Sequence, residues 1–183
     1  MALLGMFCKQ RELRRLLGQR RERLFRMAFA WSHDPALADD LVQETMEKAL
    51  KRANQLRDLA TLDRWLFGIL GNCFRDHLRR QRPLEELEEH TLADPETPER
   101  QHEQRHIVTQ VRCAIERLPE GQRQVVTLVD LEGFSYAEVA DILGIPIGTV
   151  MSRLCRARRQ LSQELVDIEP LRTQEPPRLR RIK

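Results

Sequence analysis

The sequence predicts an all-α protein made of two small helical domains, joined by a flexible acidic linker. Three observations favour this fold class. The 183 residues include only 8 glycines and few β-branched runs, which is typical of helical proteins. Apolar residues recur at helical spacing through most of the chain. Between residues 83 and 103 this spacing stops and acidic residues dominate, as expected of a linker.

Composition narrows the class of protein further. A hydrophobic content of 41% permits real cores, and 32% charged residues indicates a soluble protein rich in surface helix. No window approaches the roughly 18 apolar residues that a membrane span needs. The first residues also lack the charge order of a signal peptide. We therefore expect a cytoplasmic protein with no membrane insertion.

Charge is distributed unevenly along the chain. The net charge is only +3, but basic residues concentrate in four blocks, at 9–26, 75–82, 153–159 and 170–183. The acidic segment 83–103 separates the second block from the third. This pattern suggests two surfaces that face nucleic acid and a linker that avoids it.

The first two predicted helices differ in their polar faces. Residues 9–31 have apolar residues at helical spacing and abundant arginine, so they predict a basic amphipathic helix. Asp34 followed by Pro35 predicts the start of the second helix, over 35–53. Its buried stripe is predicted to be Ala38, Val42, Thr45, Met46 and Ala49. Its opposite face carries Asp40, Gln43, Glu44, Glu47 and Lys51. From periodicity alone, that acidic face indicates simple solubility.

The third helix has an unusual polar side. Residues 54–60 predict a loop, and Thr61 is predicted to cap a helix that ends near Arg80. The predicted core residues are Leu62, Leu66, Ile69, Leu70, Cys73 and Phe74. The other side presents Arg64, Asn72, Arg75, Asp76, Arg79 and Arg82, with bare backbone at Gly68 and Gly71. Because glycine destabilises a helix, two on one side suggest close approach of a partner. Trp65, at the border, either stacks on bases or fills the core.

The second domain begins with two shorter predicted helices. Residues 106–118 form the first, which Pro119 ends, and residues 121–132 form the second. The apolar residues of the second are Val125, Val126, Leu128, Val129 and Leu131. After Glu169 the chain carries three prolines and no burial pattern, so the tail is predicted to be disordered.

Residues 133–159 predict a helix-turn-helix. Ser135 and Glu138 form an S-x-x-E capping box at a helix start, and Gly144 is placed to end that helix. Pro146 then stands where a proline starts another helix. Two short helices around a turn with glycine are typical of this motif, whose second helix enters the DNA major groove.

The second helix of this motif separates apolar from basic residues. At about 100° per residue, the buried face consists of Val150, Leu154, Ala157 and Leu161. The opposite face and its flanks carry Gly148, Thr149, Ser152, Arg153, Arg156, Arg158 and Arg159. Four arginines and no acid lie between Ile147 and Gln160. The pattern predicts DNA recognition; the alternative is a solvated basic helix.

The cysteines and histidines do not favour a metal site. The four cysteines (Cys8, Cys73, Cys113 and Cys155) form no C-x-x-C pair, so reduced thiols are expected. Cys73 with His77, and His102 with His106, have the i, i+4 spacing that can bind zinc. The first pair lies on an apolar helix side and the second in a highly charged stretch. We predict no metal and no cofactor.

Both halves of the chain together resemble the extracytoplasmic-function (ECF) sigma factors of bacteria. The N-terminal resemblance lies in DPALADDLVQETMEKAL and WLFGILGNCFRDHLRR. The C-terminal resemblance lies in LPEGQRQVVTLVDLEGFSYAEVADILGIPIGTVMSRLCRARRQL. Together they cover about residues 20–165, and their order is far more specific than a helix-turn-helix alone.

The resemblance implies a role for each surface. A region 2-like domain (1–82) would bind core RNA polymerase through Asp40, Gln43, Glu44 and Glu47. It would open and read the −10 element through Asn54, Arg57, Asp58, Arg64, Trp65, Asn72, Arg75 and Arg79. After an acidic linker (83–104), a region 4-like domain (105–168) would read the −35 element through Thr149, Ser152, Arg153, Arg156 and Arg159. A basic tail (169–183) would follow.

The resemblance also implies partners and excludes catalysis. The partners would be core RNA polymerase, promoter DNA and an anti-sigma factor. No nucleophile motif or phosphate-binding glycine loop is present, so no enzyme activity is expected. The alternative is a helix-turn-helix regulator that is not a polymerase subunit, which would not need basic residues, Trp65 and bare glycines on the 61–82 helix. A protein-interaction scaffold would leave both basic surfaces without a role.

Overall fold

A computed structural model describes residues 2–56, 58–81 and 102–165, and the side chains of 11–56, 58–81 and 108–165. All regular structure in these ranges is helical, as predicted. The helices are α1 (Ala2–Ser32), α2 (Pro35–Lys51), α3 (Leu62–Gln81), α4 (His102–Glu116), α5 (Glu120–Val126), α6 (Tyr136–Leu143) and α7 (Ile147–Glu164). Most of the predicted linker (83–101) and the whole predicted tail (169–183) lie outside the described residues.

Helices α1, α2 and α3 form the first helical unit, in which α2 packs against both of its neighbours. Asp34 caps α2 as predicted, because its Oδ1 accepts hydrogen bonds from the amides of Ala36 (2.8 Å) and Leu37 (3.1 Å). The predicted core stripe of α2 is buried except for Met46, which is half-buried. This packing fixes the acidic face of α2 toward solvent.

The connection between α2 and α3 differs from the predicted loop. It contains two 3₁₀ turns, Ala53–Gln55 and Leu59–Thr61. Asp58 rather than Thr61 is the capping residue here, since its Oδ1 accepts from the amide of Ala60 at 2.9 Å. The hydroxyl of Thr61 donates instead to the backbone carbonyl of Asp58 (2.8 Å). The prediction that Thr61 caps α3 was therefore wrong.

Helices α4 to α7 form the second helical unit, and its helix-turn-helix has the predicted caps. The Ser135 Oγ accepts from the amide of Glu138 (3.3 Å), while a Glu138 carboxylate oxygen accepts from the amide of Ser135 (2.9 Å). Gly144 ends α6 with φ of 63°, in the left-handed region that glycine adopts at least cost. Pro146 directly precedes α7.

One segment of the second unit departs from regular α geometry. After α5, residues Thr127–Leu131 form a π-helical turn. A π turn adds a residue to the helical repeat, so the side chains that follow point in other directions than an α-helix predicts. Leu131 was predicted to be buried but is 61% exposed, whereas Leu128 is fully buried.

The two units pack directly against each other, which the sequence did not predict. The indole Nε1 of Trp31 in α1 donates to the Oγ1 of Thr127 at 2.9 Å, and both side chains are buried. The rings of Phe67 and Phe134 meet edge to face, with centroids 5.2 Å apart. A Cβ atom on Gly71 of α3 would lie 3.6 Å from the backbone oxygen of Ile142 in α6. We call this set of contacts the closed interface.

A charged cluster lies at one edge of the closed interface. Arg23 of α1 donates to Asp63 of α3 at 2.6 Å and also to Glu132 of the second unit. Arg20 donates to the other oxygen of Asp63. Burial alone would raise the pKa of Asp63, but the hydrogen bonds and charges of the two arginines outweigh it, and the pKa is lowered. Arg23 thus joins acids from both units.

His33 lies where α1 ends, close to the second unit. Its backbone φ is 55°, and its Nδ1 lies 3.8 Å from Glu116 Oε1 of α4. Burial, and then the charge of Arg123, lower the pKa of His33 to about 4. The imidazole is therefore neutral near pH 7, and its contact with Glu116 is not an ion pair at that pH.

We predict that stability falls as the pH drops below about 6.5 because of His33. A histidine with a depressed folded pKa contributes stability above its unfolded pKa and loses it on acidification. With values of about 6.5 unfolded and about 4 folded, the loss between pH 7 and 5.5 is roughly 1 kcal/mol. Urea unfolding at both pH values measures it. His33→Asn is the control, since asparagine tolerates positive φ. An equal loss in both proteins would contradict the assignment to His33.

Candidate nucleic-acid interface

The exposed side of α7 carries a stripe of polar residues. Val150, Leu154 and Ala157 are buried as predicted and fix the rotation of the helix. Of the predicted reading residues, Ser152, Arg156 and Arg159 are exposed. Thr149 and Arg153 are half-buried at the border of the stripe. The structure thus places all five on one side of the helix, three of them fully available to a groove.

Two arginines of α7 differ from the rest by their contacts. Arg158 donates to both carboxylate oxygens of Asp130, at 2.6 and 3.1 Å. The guanidinium of Arg153 lies over Gly121, where a Cβ would come within 2.8 Å of its Nη1. Arg156 instead donates to the backbone oxygen of Ser152 (3.2 Å), one turn earlier. Arg156 therefore keeps most of its donors free for an external partner, while Arg158 is paired with Asp130 within the second unit.

The sequence-based site omitted three exposed residues of α7. Ile147 is 46% exposed and Met151 is 49% exposed, and Cys155, one turn after Met151, is exposed as well. All three lie in the N-terminal half of the helix, which is the part that contacts base edges in helix-turn-helix proteins. Helical phase could have found Cys155, which lies about 100° or more from Val150 and Leu154. It could not have found Ile147, which is spaced i, i+3 and i, i+7 from those two buried residues.

The polar side of α3 presents a second basic surface. Asn72 and Arg79 are exposed. Arg75 donates to Asn72 Oδ1 at 2.6 Å and to the backbone oxygen of Gly71 at 3.2 Å. Arg79 lies 3.9 Å from Asp76, one turn away. These three predicted residues therefore form one patch, which is oriented by contacts within the helix.

The N-terminal half of α3 is partly covered. Arg64 lies 3.6 Å from Asp141 of α6, and Trp65 is half-buried against the core. Trp65 thus has one side for packing and one for solvent, so neither of its two predicted roles is excluded. Gly68 has open space around it, whereas the backbone of α6 covers Gly71. In this structure the close approach predicted at Gly71 comes from the protein's own second unit.

The turn before α3 holds the remaining predicted −10 residues. Asn54 and Asp58 are both exposed, and one carboxylate oxygen of Asp58 is used in its cap. Arg57 lies outside the described residues. The second turn, which Asp58 caps, leads directly into α3, the helix that carries Arg64 and Trp65.

The acidic face of α2 is a separate surface on the first unit. Asp40, Gln43 and Glu47 are exposed, and Glu44 is half-buried. Glu44 accepts from Lys48 Nζ at 2.8 Å, and that amine lies 3.5 Å from Cys73 Sγ. Leu50, which the sequence did not single out, is 38% exposed beside Gln43 and Glu47. Leu50 thus adds apolar surface to the acidic face.

The residues for which a metal site was considered do not form a cluster. In the part of the chain that the structure describes, no group of three or more metal-ligating side chains comes together. Cys73 is fully buried, and burial raises the pKa of its thiol. The side chains of Cys8, His102 and His106 lie outside the described set. Nor does any helix among the described residues have the length and apolar character needed to cross a membrane.

We predict that Cys73 is a core residue with little reactivity. Cys73→Ala should lower the free energy of unfolding by roughly 1 kcal/mol, because it leaves a small cavity. A thiol reagent should modify Cys113 and Cys155 quickly in the native protein and Cys73 slowly, since the thiolate is the reactive form. Cys155→Ala, on the surface, is the control for stability. Rapid native modification of Cys73 would contradict its assignment to the core.

Comparison with known families places both units in the same group of proteins. Residues 16–83 match the family described as Sigma-70 region 2, and residues 109–161 match Sigma-70, region 4. The first match covers α2, α3 and most of α1, and the second covers the helix-turn-helix. The acidic face, both basic surfaces and all but the last three residues of α7 lie within these matches.

Individual relatives agree with the family matches. The chain is 39% identical over 137 residues to the ECF RNA polymerase sigma factor EcfG of Rhodopseudomonas palustris, covering 74% of this chain and 75% of that protein. It is 35% identical over 145 residues to the RNA polymerase sigma-H factor of Pseudomonas aeruginosa, covering 73% and 75%.

Two solved structures resemble the whole fold. One is the sigma factor RpoE in complex with the anti-sigma factor NepR from Bartonella quintana. Its TM-score is 0.70 at 28% identity, with 86% of this chain and 99% of that chain covered. The other is CnrH in complex with the cytosolic domain of CnrY, with a TM-score of 0.60, 26% identity and coverage of 87% and 90%.

Proposed function

The chain belongs to the ECF sigma factors, and on that premise we propose how its surfaces divide the work of promoter recognition. A sigma factor of this family binds core RNA polymerase and recognises promoter DNA. The observation that carries the assignment is that region 2 and region 4 both match, in order, on two helical units of one chain. A helix-turn-helix regulator that acts without polymerase requires only the second match.

We propose that α7 reads the −35 element in the major groove. Ser152, Arg156 and Arg159 would contact bases and phosphates from the exposed stripe, with Thr149 and Arg153 at its border. Arginine is suited to this role because its fork matches the acceptors of guanine. Met151, next to Ser152 in the chain, adds exposed apolar surface, which would suit contact with a thymine methyl group.

The turn before α3 and the polar side of α3 would act at the −10 element. Asn72, Arg75 and Arg79 would meet the upstream duplex. Asn54, Arg57 and Asp58 in the turn would hold an unstacked base, with Arg64 and Trp65 beside them. Extruding a base costs a few kcal/mol, so a surface that binds the extruded base favours melting. No group here is proposed to make or break a covalent bond, and the protein is proposed not to be an enzyme.

The acidic face of α2 would dock on core polymerase. Asp40, Gln43, Glu44 and Glu47 supply the polar contacts, and Leu50 supplies apolar contact area. Docking would also tether the two DNA-reading units to one enzyme. Tethering raises the effective concentration of the second contact once the first has formed, which compensates for two individually weak DNA contacts.

The same proposal implies a further protein partner and a cellular compartment. An anti-sigma factor is a proposed partner, because a similar sigma factor was solved in complex with one. We place the protein in the cytoplasm, since its proposed polymerase and DNA partners lie there. The predicted domain boundaries (1–82, 83–104, 105–168 and 169–183) are retained as part of this proposal.

Reconstituted transcription tests the proposed function. The purified chain is added to bacterial core polymerase on a library of genomic fragments, and transcripts that depend on the added chain are sequenced. We expect start sites that share two elements at a constant spacing. Binding of the chain alone to palindromic duplex sites, with no transcription in the presence of polymerase, would favour the regulator instead.

A further inference from the structure

A glycine of α5 makes room for an arginine of α7. The guanidinium of Arg153 lies over Gly121, the second residue of α5, where the two helices pack against each other. A Cβ atom on residue 121 would lie 2.8 Å from the Nη1 of Arg153, 2.9 Å from its Cζ and 3.2 Å from its Nε. Any larger residue at position 121 would therefore displace the guanidinium.

The Arg153 guanidinium is held by packing rather than by an anionic partner. Within the part of the chain that the structure describes, Arg153 makes no hydrogen bond or ion pair. Two other arginines of the second unit are paired, Arg158 with Asp130 and Arg117 with Glu164. Arg153 is also half-buried, and a partly desolvated charge without a counter-charge is unfavourable. Its environment therefore favours an anion supplied from outside the protein.

Helical angle places Arg153 on the flank of α7. At about 100° per residue, Arg153 lies about 100° from Ser152 and about 120° from Arg159, which point away from the buried face. An α-helix with its side chains is about 10–12 Å across, and the major groove is about 12 Å wide. A helix that fills the groove therefore meets base edges with its inner face and the sugar–phosphate strands with its flanks.

From these observations we propose that Arg153 binds a backbone phosphate of the −35 element, and that Gly121 is the positioning residue that holds its guanidinium ready. This inference rests on the proposed function, because it assigns a ligand to a residue at the border of the −35 surface. Phosphate contacts fix the orientation of a protein on the duplex without reading sequence. Arg153 would thus orient α7 so that Ser152 and Arg156 reach base edges. A guanidinium already held against α5 also loses less conformational freedom on binding.

Gly121→Ala tests the positioning role, because it moves the guanidinium and leaves its charge in place. The atoms that the new Cβ would meet belong to the far end of a flexible side chain, so Arg153 can turn away and the free energy of unfolding should not fall. Affinity for promoter DNA should nevertheless fall several-fold, and by the same factor for every −35 sequence. A loss of DNA affinity without a loss of stability is not expected of a glycine that serves only the fold.

Gly18→Ala is the matched control. Gly18 lies within α1, outside the proposed DNA and polymerase surfaces, and a Cβ there would have nothing within 4 Å. The substitution should raise the midpoint of urea unfolding, since glycine destabilises a helix. Promoter affinity should stay as in the wild type, which separates the effect of alanine itself from the effect of moving Arg153.

Arg153→Gln tests the phosphate contact itself. Removing the charge should weaken promoter binding on the order of tenfold. It should also reduce the slope of log affinity against log salt by about 0.9, the value for one phosphate on duplex DNA. In the double variant, Gly121→Ala should add nothing to Arg153→Gln, because the glycine is proposed to act only through the arginine.

Affinities are measured with holoenzyme assembled from core polymerase and the full-length chain. The probes are the promoter fragments recovered by reconstituted transcription, with the original −35 element and with single-base changes in it, at several salt concentrations. We expect the losses for Gly121→Ala and Arg153→Gln to be uniform across these probes.

Three results would overturn the proposal. Arg153→Gln could bind every fragment as the wild type does, which would leave Arg153 as a packing residue. Its loss could depend on the base, which would make Arg153 a base-reading residue. Gly121→Ala could bind normally, or add to Arg153→Gln in the double variant, which would end the positioning role. Failure of the wild-type holoenzyme to bind any promoter fragment would instead refute the proposed function, and this inference with it.

Discussion

Replacing both Asp40 and Glu47 by lysine is expected to abolish stable association with core polymerase and hence all transcription that depends on this chain. Both side chains are exposed on α2, so the change removes no core contact. Glu44 is left intact because it holds Lys48, which reaches into the core near Cys73. Reversed charges at a complementary interface cost several kcal/mol, which corresponds to a loss of affinity of about 100-fold or more.

The measurement is co-purification and equilibrium binding with core polymerase. A double variant of α1, Glu12→Lys with Glu22→Lys, has the same change in net charge on exposed acids that pair within their own helix. It should bind as the wild type does, and circular dichroism should show both variants to be helical. Normal polymerase binding by the α2 variant would contradict the docking role and leave solubility as the role of the acidic face.

The local structure could be predicted from the sequence wherever it depends on residues a few positions apart. The capping box of Ser135 and Glu138, the left-handed Gly144 and the Asp34 cap each involve groups within four residues. The rotation of α7 follows from Val150 and Leu154 in the same way. These features are confirmed because the competing conformations of such segments lack the hydrogen bonds that the caps supply.

The features that sequence reasoning missed depend on groups far apart in the chain. Trp31 and Thr127 are 96 residues apart, and neither residue type identifies the other as its partner. The π turn Thr127–Leu131 begins at the residue that contacts Trp31 and leaves Leu131 exposed. The helical spacing of apolar residues alone could not reveal this shift.

The proposed binding surfaces show the same contrast between features that nearby residues determine and features that distant residues determine. Helical spacing identified Ser152, Arg156 and Arg159, because polar residues on the side away from the core are easy to recognise. The same reasoning did not single out Leu50 and Met151, which the structure shows to be exposed. The prediction that two domains exist held, whereas their packing had no sequence signal.

Arg156→Ala should weaken binding to the −35 element in a base-dependent way. Arg156 is exposed opposite the buried face of α7, and its one described hydrogen bond is to the backbone of Ser152, so the alanine variant should keep its fold. Loss of a bidentate contact to a base costs about 1–3 kcal/mol, roughly a 5- to 150-fold loss of affinity for the preferred sequence. Binding to sequences altered at the contacted base should change little.

Arg158→Ala is the control that separates base reading from overall charge. It removes the same side chain from the same helix, but Arg158 is held by both oxygens of Asp130 within the second unit. Any effect on DNA binding should therefore be small and the same for every −35 sequence. Affinities are measured with holoenzyme on promoter fragments at fixed salt, because phosphate contacts make binding salt-dependent. If Arg156→Ala and Arg158→Ala weaken all sequences equally, Arg156 contacts the phosphate backbone rather than a base, and Ser152 or Met151 becomes the better candidate for the base-reading residue of α7.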